Sequence, residues 1–492
     1  FDFFERAFKI GCHSVSDTVK LNTDSLPRVR MKLYDYSDAL KAARPGDAVI
    51  AETKLKSSAI RYGEENDSYI ADGVYLLGNI SGECEIYSAE KMPVRFLPQR
   101  LAGLIKSGIK DSFPDDTSGF MLALLLGDKS EYYENDSMYT SMSIAGLSHV
   151  VAVSGMHVTF VLALFQLVFG KSKRVSAISL IFVWLYVLMS GASPSALRAG
   201  IMLTVFLLAP VFGRENDRLT TLSLALMIIL LVNPFAVMSL SLQLSFAAMA
   251  GIFCFTQRIF NFVDRHIPEA GRSRRIKLYV NGAFSNSIAA TVFTLPIIAF
   301  RFGSIAILAP IANILCLWAV SILFVGGYLV CLIKLISGIL GTAVAMLLSY
   351  LVRYIEIVSG YIARLPFAQI YTGNLYAVLW IVLCYALFLG FMLERKKGVK
   401  VRLALPVILS AVSLASVLFW TDLAMKHSGG AINVLDVGNG QCIALTCGKE
   451  TSVIDCGAAG KSINAGTELA NMLHAEGRRK IGCLVLTHIH SD

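Results

Sequence analysis

Two groups of residues in this chain are of types that do chemistry. Between Gly146 and Val158, His149, Ser154, Gly155 and His157 interrupt a run that is otherwise mostly apolar. Polar side chains at membrane depth are costly and tend to face a bundle interior or a water-filled cavity. Irregular backbone is tolerated there only where protein or water covers it. A helix broken at Ser154–Gly155 would therefore line a pathway. Residues seven or eight apart on one helix share a face, so His149 and His157 would point the same way. The same residues also read as a packing helix, with Gly146, Ser148, Ala152 and Gly155 as close-contact small residues. The second group is His488, His490 and Asp492, directly after an apolar run that reads as a strand. Two imidazoles and a carboxylate on a tight loop suit a divalent metal, zinc or manganese.

Both groups need elements to position them. The chain has 492 residues, 55% of them hydrophobic and 16% charged, with mean hydropathy +0.62. That balance predicts a polytopic α-helical membrane protein, because several runs can cross roughly 30 Å of hydrocarbon. Ten spans are expected, at about 144–169, 175–191, 194–212, 219–232, 235–256, 281–300, 304–333, 336–358, 374–393 and 403–420. The seventh is long enough to be kinked or re-entrant near Pro310 and Asn313, and the eighth carries Arg353 and Glu356. Basic residues follow the odd-numbered spans: Lys171, Lys173 and Arg174, then Arg214 and Arg218, then Arg258 to Lys277, Lys334, and Arg395 to Arg402. Cytoplasmic loops carry that excess, which puts both terminal regions outside the cell membrane. The net charge of +9 needs no further explanation.

Further polar residues recur inside the spans. Arg198, in Ser193-Pro194-Ser195-Ala196-Leu197-Arg198, sits about one turn into the third span. A passing phosphate would partner it; the alternative is that it snorkels to the outer interface. Gln243 and Ser245 fall in the fifth span, and Asn313 follows Pro310 in the seventh. Each alone is ordinary interhelical glue.

Residues 1–95 are polar, with short alternating runs at Ser14–Leu21, Arg28–Tyr36, Ala48–Leu55 and Cys84–Val94 that read as strands of a small β domain. Cys12 and Cys84 are its only cysteines, so an extracytoplasmic disulfide between them is permitted. Residues 96–143 read as linking helices, with Phe120–Leu126 too short to span. After Trp420 the spans stop. Strands are expected at Ala431–Val437, Cys442–Thr446 and Ser452–Ile454, a helix at Ala465–Glu476, and a buried strand at Ile481–Leu486. Cys442, Cys447, Cys456 and Cys483 lack the C-x-x-C spacing of a thiolate metal site and read as buried small residues.

The segment Gly146-Leu147-Ser148-His149, three apolar residues, then Ser154-Gly155-Met156-His157-Val158 resembles the signature of the ComEC family of competence proteins, with Met156 where the family usually has Leu. The polar segments that follow keep the family's order over roughly residues 45–492. The resemblance implies an OB-like β-barrel over 1–95, linking helices over 96–143, a competence channel over 144–420, and an αββα metallo-β-lactamase-like domain starting at 430–492. It implies a channel that imports single-stranded DNA across the cytoplasmic membrane in natural transformation, served by other competence proteins that supply DNA and energy. His488, His490 and Asp492 then match part of the family motif His-x-His-x-Asp-His. The family's Gly-Gln-Gly-Asp turn reads Gly438-Asn439-Gly440-Gln441 here. In the complete domain a metal-dependent nuclease would degrade the strand that is not imported. The chain starts without Met and stops inside the motif, as expected of a fragment. No P-loop is present, so the energy for transport comes from elsewhere. The other readings are a membrane-anchored metallohydrolase, against which polar spans argue, and a small-solute transporter, which would show inverted repeats.

Overall fold

The computed structural model describes residues 31–34, 47–58, 60–61, 64–65, 68–71, 74–87, 96–133, 135–170, 172–209, 213, 217–266, 274–365, 368–372, 375–396, 404–427, 429–437, 439–459, 465–476, 478 and 480–487. In chain order it runs β1 (Met31–Tyr34), β2 (Ala48–Ser57), β3 (Ile60–Arg61), β4 (Glu64–Glu65), α1 (Ser68–Ala71) and β5 (Leu76–Tyr87). Helices α2 (Leu97–Lys110), α3 (Asp115–Leu126), α4 (Asp136–Ile144), α5 (Gly155–Phe169), α6 (Lys173–Met189), α7 (Pro194–Leu208) and α8 (Arg218–Val232) follow. A 3₁₀ turn at Pro234–Met238 leads into α9 (Leu240–His266) and α10 (Arg274–Phe302). Then come β6 (Ser304–Ala306), α11 (Ala309–Ile336), α12 (Gly338–Ala363), β7 (Gln369–Tyr371), α13 (Leu375–Lys396) and α14 (Ala404–His427). The chain closes with β8 (Ala431–Val434), β9 (Asn439–Cys447), β10 (Glu450–Ala459), α15 (Ala465–Ala475) and β11 (Cys483–Val485). It divides into two units: residues 1–293 with 308–365, and residues 294–307 with 366–492.

In the first unit, the helices begin where short polar side chains can take up free backbone N–H groups. Asn135, Ser172, Ser193 and Asp217 accept from Met138, Val175, Ala196 and Thr220 at the starts of α4, α6, α7 and α8. Among the described residues, four helices are long and apolar enough to cross a membrane: Leu240–Arg265, Lys277–Phe302, Ala309–Ile336 and Gly338–Ala363. The other expected spans form shorter apolar helices.

The core is organised on α3, apolar on every side and buried from Thr117 to Leu126. It packs against α2, α11 and α12. Backbones come close here because Gly327 faces Leu125 and Met121, and the Tyr328 hydroxyl donates to the Leu125 carbonyl at 2.9 Å. Ion pairs fasten the rim: Lys334–Asp111, Arg353–Asp116, Lys106–Asp128 and Lys110–Glu131. Both charged ends of Arg353–Asp116 are partly exposed, which lets α12 carry an arginine near its middle.

The N-terminal strands form a three-stranded sheet in the order β1-β5-β2, β1 parallel and β2 antiparallel to β5. Among the described residues this is an open sheet, not the closed barrel expected. Glu64–Glu65 pairs as β4 with β3 in a second, two-stranded ladder. Ser14–Leu21 and Cys12 lie outside the described residues, and with Cys12 the Cys12–Cys84 pairing.

In the second unit, β6 and β7 form an antiparallel pair, and α13 packs on α14. The C-terminal sheet has the order β11-β10-β9-β8. Only its outer pair, β10 with β11, is parallel. Val437, Cys442, Ala444 and Val453 meet Ala465, Leu469 and Leu473 from α15 in one small core. The strand expected to be buried is exposed: Leu484 is 54% accessible and Val485 44%. Its apolar run forms the edge strand of the sheet beside β10, while α15 packs on β10 and β9. Cys447 and Cys483 are likewise exposed, not buried, because they lie at a hairpin end and on that edge strand.

Candidate functional site

The site in the helical unit starts from a change of direction. The expected helix over 144–169 begins only at Gly155, because Ser154 is extended (φ −135°, ψ 175°). The Ser154 N–H donates to Nδ1 of His157 at 3.1 Å, and the Ser154 hydroxyl lies 3.1 Å from the same nitrogen. The imidazole thus occupies the position where Glu or Gln usually closes a helix N-terminus. Accepting at Nδ1 leaves the ring proton of neutral His157 on Nε2. The His157 side chain is fully buried, and Nε2 makes no hydrogen bond.

Aromatic rings surround this histidine. Phe324 on α11 has its centroid 5.4 Å from the His157 ring, and Phe160 lies 6.5 Å away. Tyr186 on α6 meets the same Phe324 at 5.8 Å, and its buried hydroxyl also makes no hydrogen bond. Two buried polar atoms without partners thus flank one phenylalanine.

His149 stands before the helix, not on it. Its Nδ1 lies 3.1 Å from the Gly146 carbonyl and its side chain is exposed. The shared helical face expected for His149 and His157 therefore does not form, since the chain between them turns. Gly155 faces Ala199, whose Cβ lies 3.7 Å from where a Cβ at 155 would be. The neighbouring Arg198 is 3% exposed. Its Nη2 donates to both the carbonyl and hydroxyl of Ser241, each at 2.8 Å. The guanidinium thus turns into the bundle toward α9 instead of outward to the interface.

The structure therefore brings Ser154, Gly155, His157 and Arg198 onto adjoining helices α5 and α7. It sets the other two apart. The Gln243 amide donates to the Val237 carbonyl just before its own helix, and the Asn313 amide to the Ser287 hydroxyl on α10. Tyr186, Phe324 and Ser241 escaped sequence reasoning. The first two look like any aromatic in a span, while Ser241 sits in the Ser239–Phe246 stretch already notable for its polar residues.

In the C-terminal unit, Asp455 is a non-glycine residue at φ +50° and is buried. Its carboxylate accepts the backbone N–H of Thr487 at 2.8 Å and the Thr487 hydroxyl at 2.5 Å. This fixes the chain one residue before His488. His488, His490 and Asp492 themselves lie outside the described residues. Among those described, no cluster of three His, Cys, Asp or Glu could hold a metal.

Residues 124–397, more than half of the chain, match the family described as Competence protein. The chain belongs to the Competence protein family. The competence-family match takes in Ser154, His157, Arg198, Gln243 and Asn313, while the His488 motif lies beyond it. Among curated proteins the chain is similar to ComE operon protein 3 of Bacillus subtilis (strain 168), with 29% identity over 206 residues, 41% of this chain and 24% of that protein. It is also similar to Competence protein ComA of Neisseria gonorrhoeae, with 26% identity over 394 residues, 77% of this chain and 51% of that protein. The chain thus spans about half or less of these relatives' lengths. No solved structure matches it.

Proposed function

We propose that this competence-family chain forms a transmembrane channel that takes up single-stranded DNA during natural transformation. The observation that carries the reading is the group Ser154, His157 and Arg198, polar side chains turned into an apolar bundle at adjoining helices. A helix that only anchors a domain needs no such group, which disfavours the membrane-anchored metallohydrolase. Neutral donors can pass the phosphate charges of a strand along without trapping them. Arg198, bonded to Ser241, sets a guanidinium inside the bundle, and a phosphate is the chemistry such a group would attract.

In this reading the N-terminal sheet is part of an external OB-like domain. The C-terminal unit is the start of an external metallo-β-lactamase-like domain, with other competence proteins supplying DNA and energy. The donor set His488, His490 and Asp492 fits zinc or manganese. When bound, such a metal lowers the pKa of a water and polarises a phosphoryl oxygen, as phosphodiester hydrolysis requires. Asp455 and Thr487 would set where the loop carrying these ligands leaves the sheet.

The test is DNA uptake per folded molecule. His149→Ala, Gly155→Leu and Arg198→Gln should lower transformation steeply while the amount of folded protein stays near wild type. Uptake that declines only in step with folded protein would leave these residues as packing. Orientation is tested separately. A membrane-impermeant thiol reagent applied from outside should modify a cysteine placed at Gly429 and miss one at Lys396, and the reverse would place the C-terminal unit inside.

A further inference from the structure

The C-terminal sheet holds a pair of cysteines that no role described above uses. Cys442 on β9 and Cys456 on β10 are opposite one another in register. They are so only because of Asp455. Before it, Thr451, Val453 and their partners Thr446 and Ala444 alternate onto the face that α15 covers, all buried. Strict alternation would put residue 455 opposite Cys442 and turn Cys456 to the other face. The register skips Asp455, a one-residue bulge that brings Cys456 round to the face of Cys442.

The spacing of the two thiols follows from the hydrogen bonds. The Cys442 carbonyl accepts from Leu435 N–H at 2.9 Å, so its polar backbone points to the β8 side. Toward β10 it is therefore in a non-hydrogen-bonded position, where facing Cα atoms are about 4.5 Å apart and side chains closest. A disulfide needs Cα atoms about 4.4–6.8 Å apart. Cys447 and Cys483 stand opposite Glu450 and Ser452, not opposite cysteines.

We propose that Cys442 and Cys456 are a redox couple that closes to a cross-strand disulfide. Cys442 is fully buried and Cys456 half-buried, which sets the order of events. Burial, and then Cys456 beside it, pushes the Cys442 thiol up to about 12, so it is the poorer first nucleophile. With oxidised glutathione, the Cys456 thiolate attacks one glutathione sulfur and releases one glutathione thiolate. Cys442 then attacks the Cys456 sulfur of the mixed disulfide and displaces the second. Two protein thiols lose two electrons, one glutathione disulfide gains them, and the two thiol protons end on the released glutathiones. The closed bond would fasten the bulge from which Asp455 reaches Thr487.

The experiment uses the full chain in detergent, equilibrated with mixtures of oxidised and reduced glutathione. It is acid-quenched, alkylated and mapped by mass spectrometry. We expect one peptide linking Cys442 to Cys456, lost on adding dithiothreitol. Cys442→Ser should leave glutathione held on Cys456, and Cys456→Ser should leave Cys442 unmodified until the chain is denatured. Glutathionylated Cys456 without a link at any ratio would overturn the couple, as would a link to Cys447 or Cys483. Cys442 reacting in the Cys456→Ser variant as fast as Cys456 does in the wild type would overturn the order. No arm depends on DNA uptake or membrane orientation, so the outcome is separate from the channel reading.

Discussion

Asp455 holds Thr487 by both of that residue's donors, its backbone N–H and its hydroxyl, across the parallel pair of the C-terminal sheet. Hydrogen bonds to a charged acceptor contribute about 1.5–3 kcal/mol each, and losing the acceptor strands the donors. Asp455→Ala should therefore release the Thr487 amide to fast hydrogen exchange. Asp455→Asn, with one oxygen left to accept, should do so less. Unchanged exchange at Thr487 in the alanine variant would show that the strand pairing alone holds this end.

His157 closes the start of α5, so its replacements should rank by whether they can still accept from Ser154 N–H. His157→Ala leaves that donor open and a cavity beside Phe324, at a cost of about 2–4 kcal/mol. His157→Gln restores an acceptor at the third helical position and should melt closer to wild type. Equal melting temperatures in detergent for the two variants would mean that the cap contributes nothing.

Two glycines allow close helix approach by different means. A Cβ at Gly327 would lie 2.6 Å from Leu125 Cδ1 and 2.8 Å from Met121 Cε, which are ends of flexible side chains. A Cβ at Gly251 would lie 2.2 Å from the Ala289 carbonyl oxygen, which is backbone. Gly327→Ala should cost about 1–3 kcal/mol as the core repacks, while Gly251→Ala must push α9 from α10 and should cost more. Comparing folded yield and melting of the two decides it, and a milder Gly251→Ala would refute the ranking.

Asp128 gives a pH dependence outside the spans. Burial pushes its carboxyl up, but Lys106 and Ser130, both bonded to it, together hold it below the usual carboxylate range. A carboxyl depressed on folding adds stability above its unfolded pKa and loses it as pH falls through the folded one. Asp128→Asn should thus melt lower than wild type at neutral pH, and the gap should close on acidification below the ordinary carboxylate range. A gap that stays constant with pH would assign the effect to shape, not charge.

Hydropathy placed the helices well because a long apolar run has few other solutions in lipid. It was weaker where an apolar run had two destinations. Cys483–Val485 reads like a core strand, but the sheet leaves it on an edge, and nothing in its own residues separates the two. The start of α5 was half legible. Ser154 beside Gly155 marked a break, yet nothing local told that His157 would turn back to close the helix, leaving His149 off it. Arg198 was conspicuous as a charge, but its partner Ser241 lies 43 positions along the chain. Register bulges are the least readable of all: Asp455 and Cys456 look like consecutive strand residues until β9 is laid beside them.

The burial of α3 also constrains the order in which the protein can be made. Its 12 residues extend only about 18 Å, too short to cross a bilayer alone. The helices that enclose it, α11 and α12, are encoded nearly two hundred residues later. During synthesis α3 must wait at the membrane surface or under a chaperone, its apolar faces uncovered, until the α11–α12 hairpin arrives. Completion of the bundle is then a late, non-local step. Chains arrested before Gly338 should hold α3 in a protease-sensitive state that full-length chains do not show.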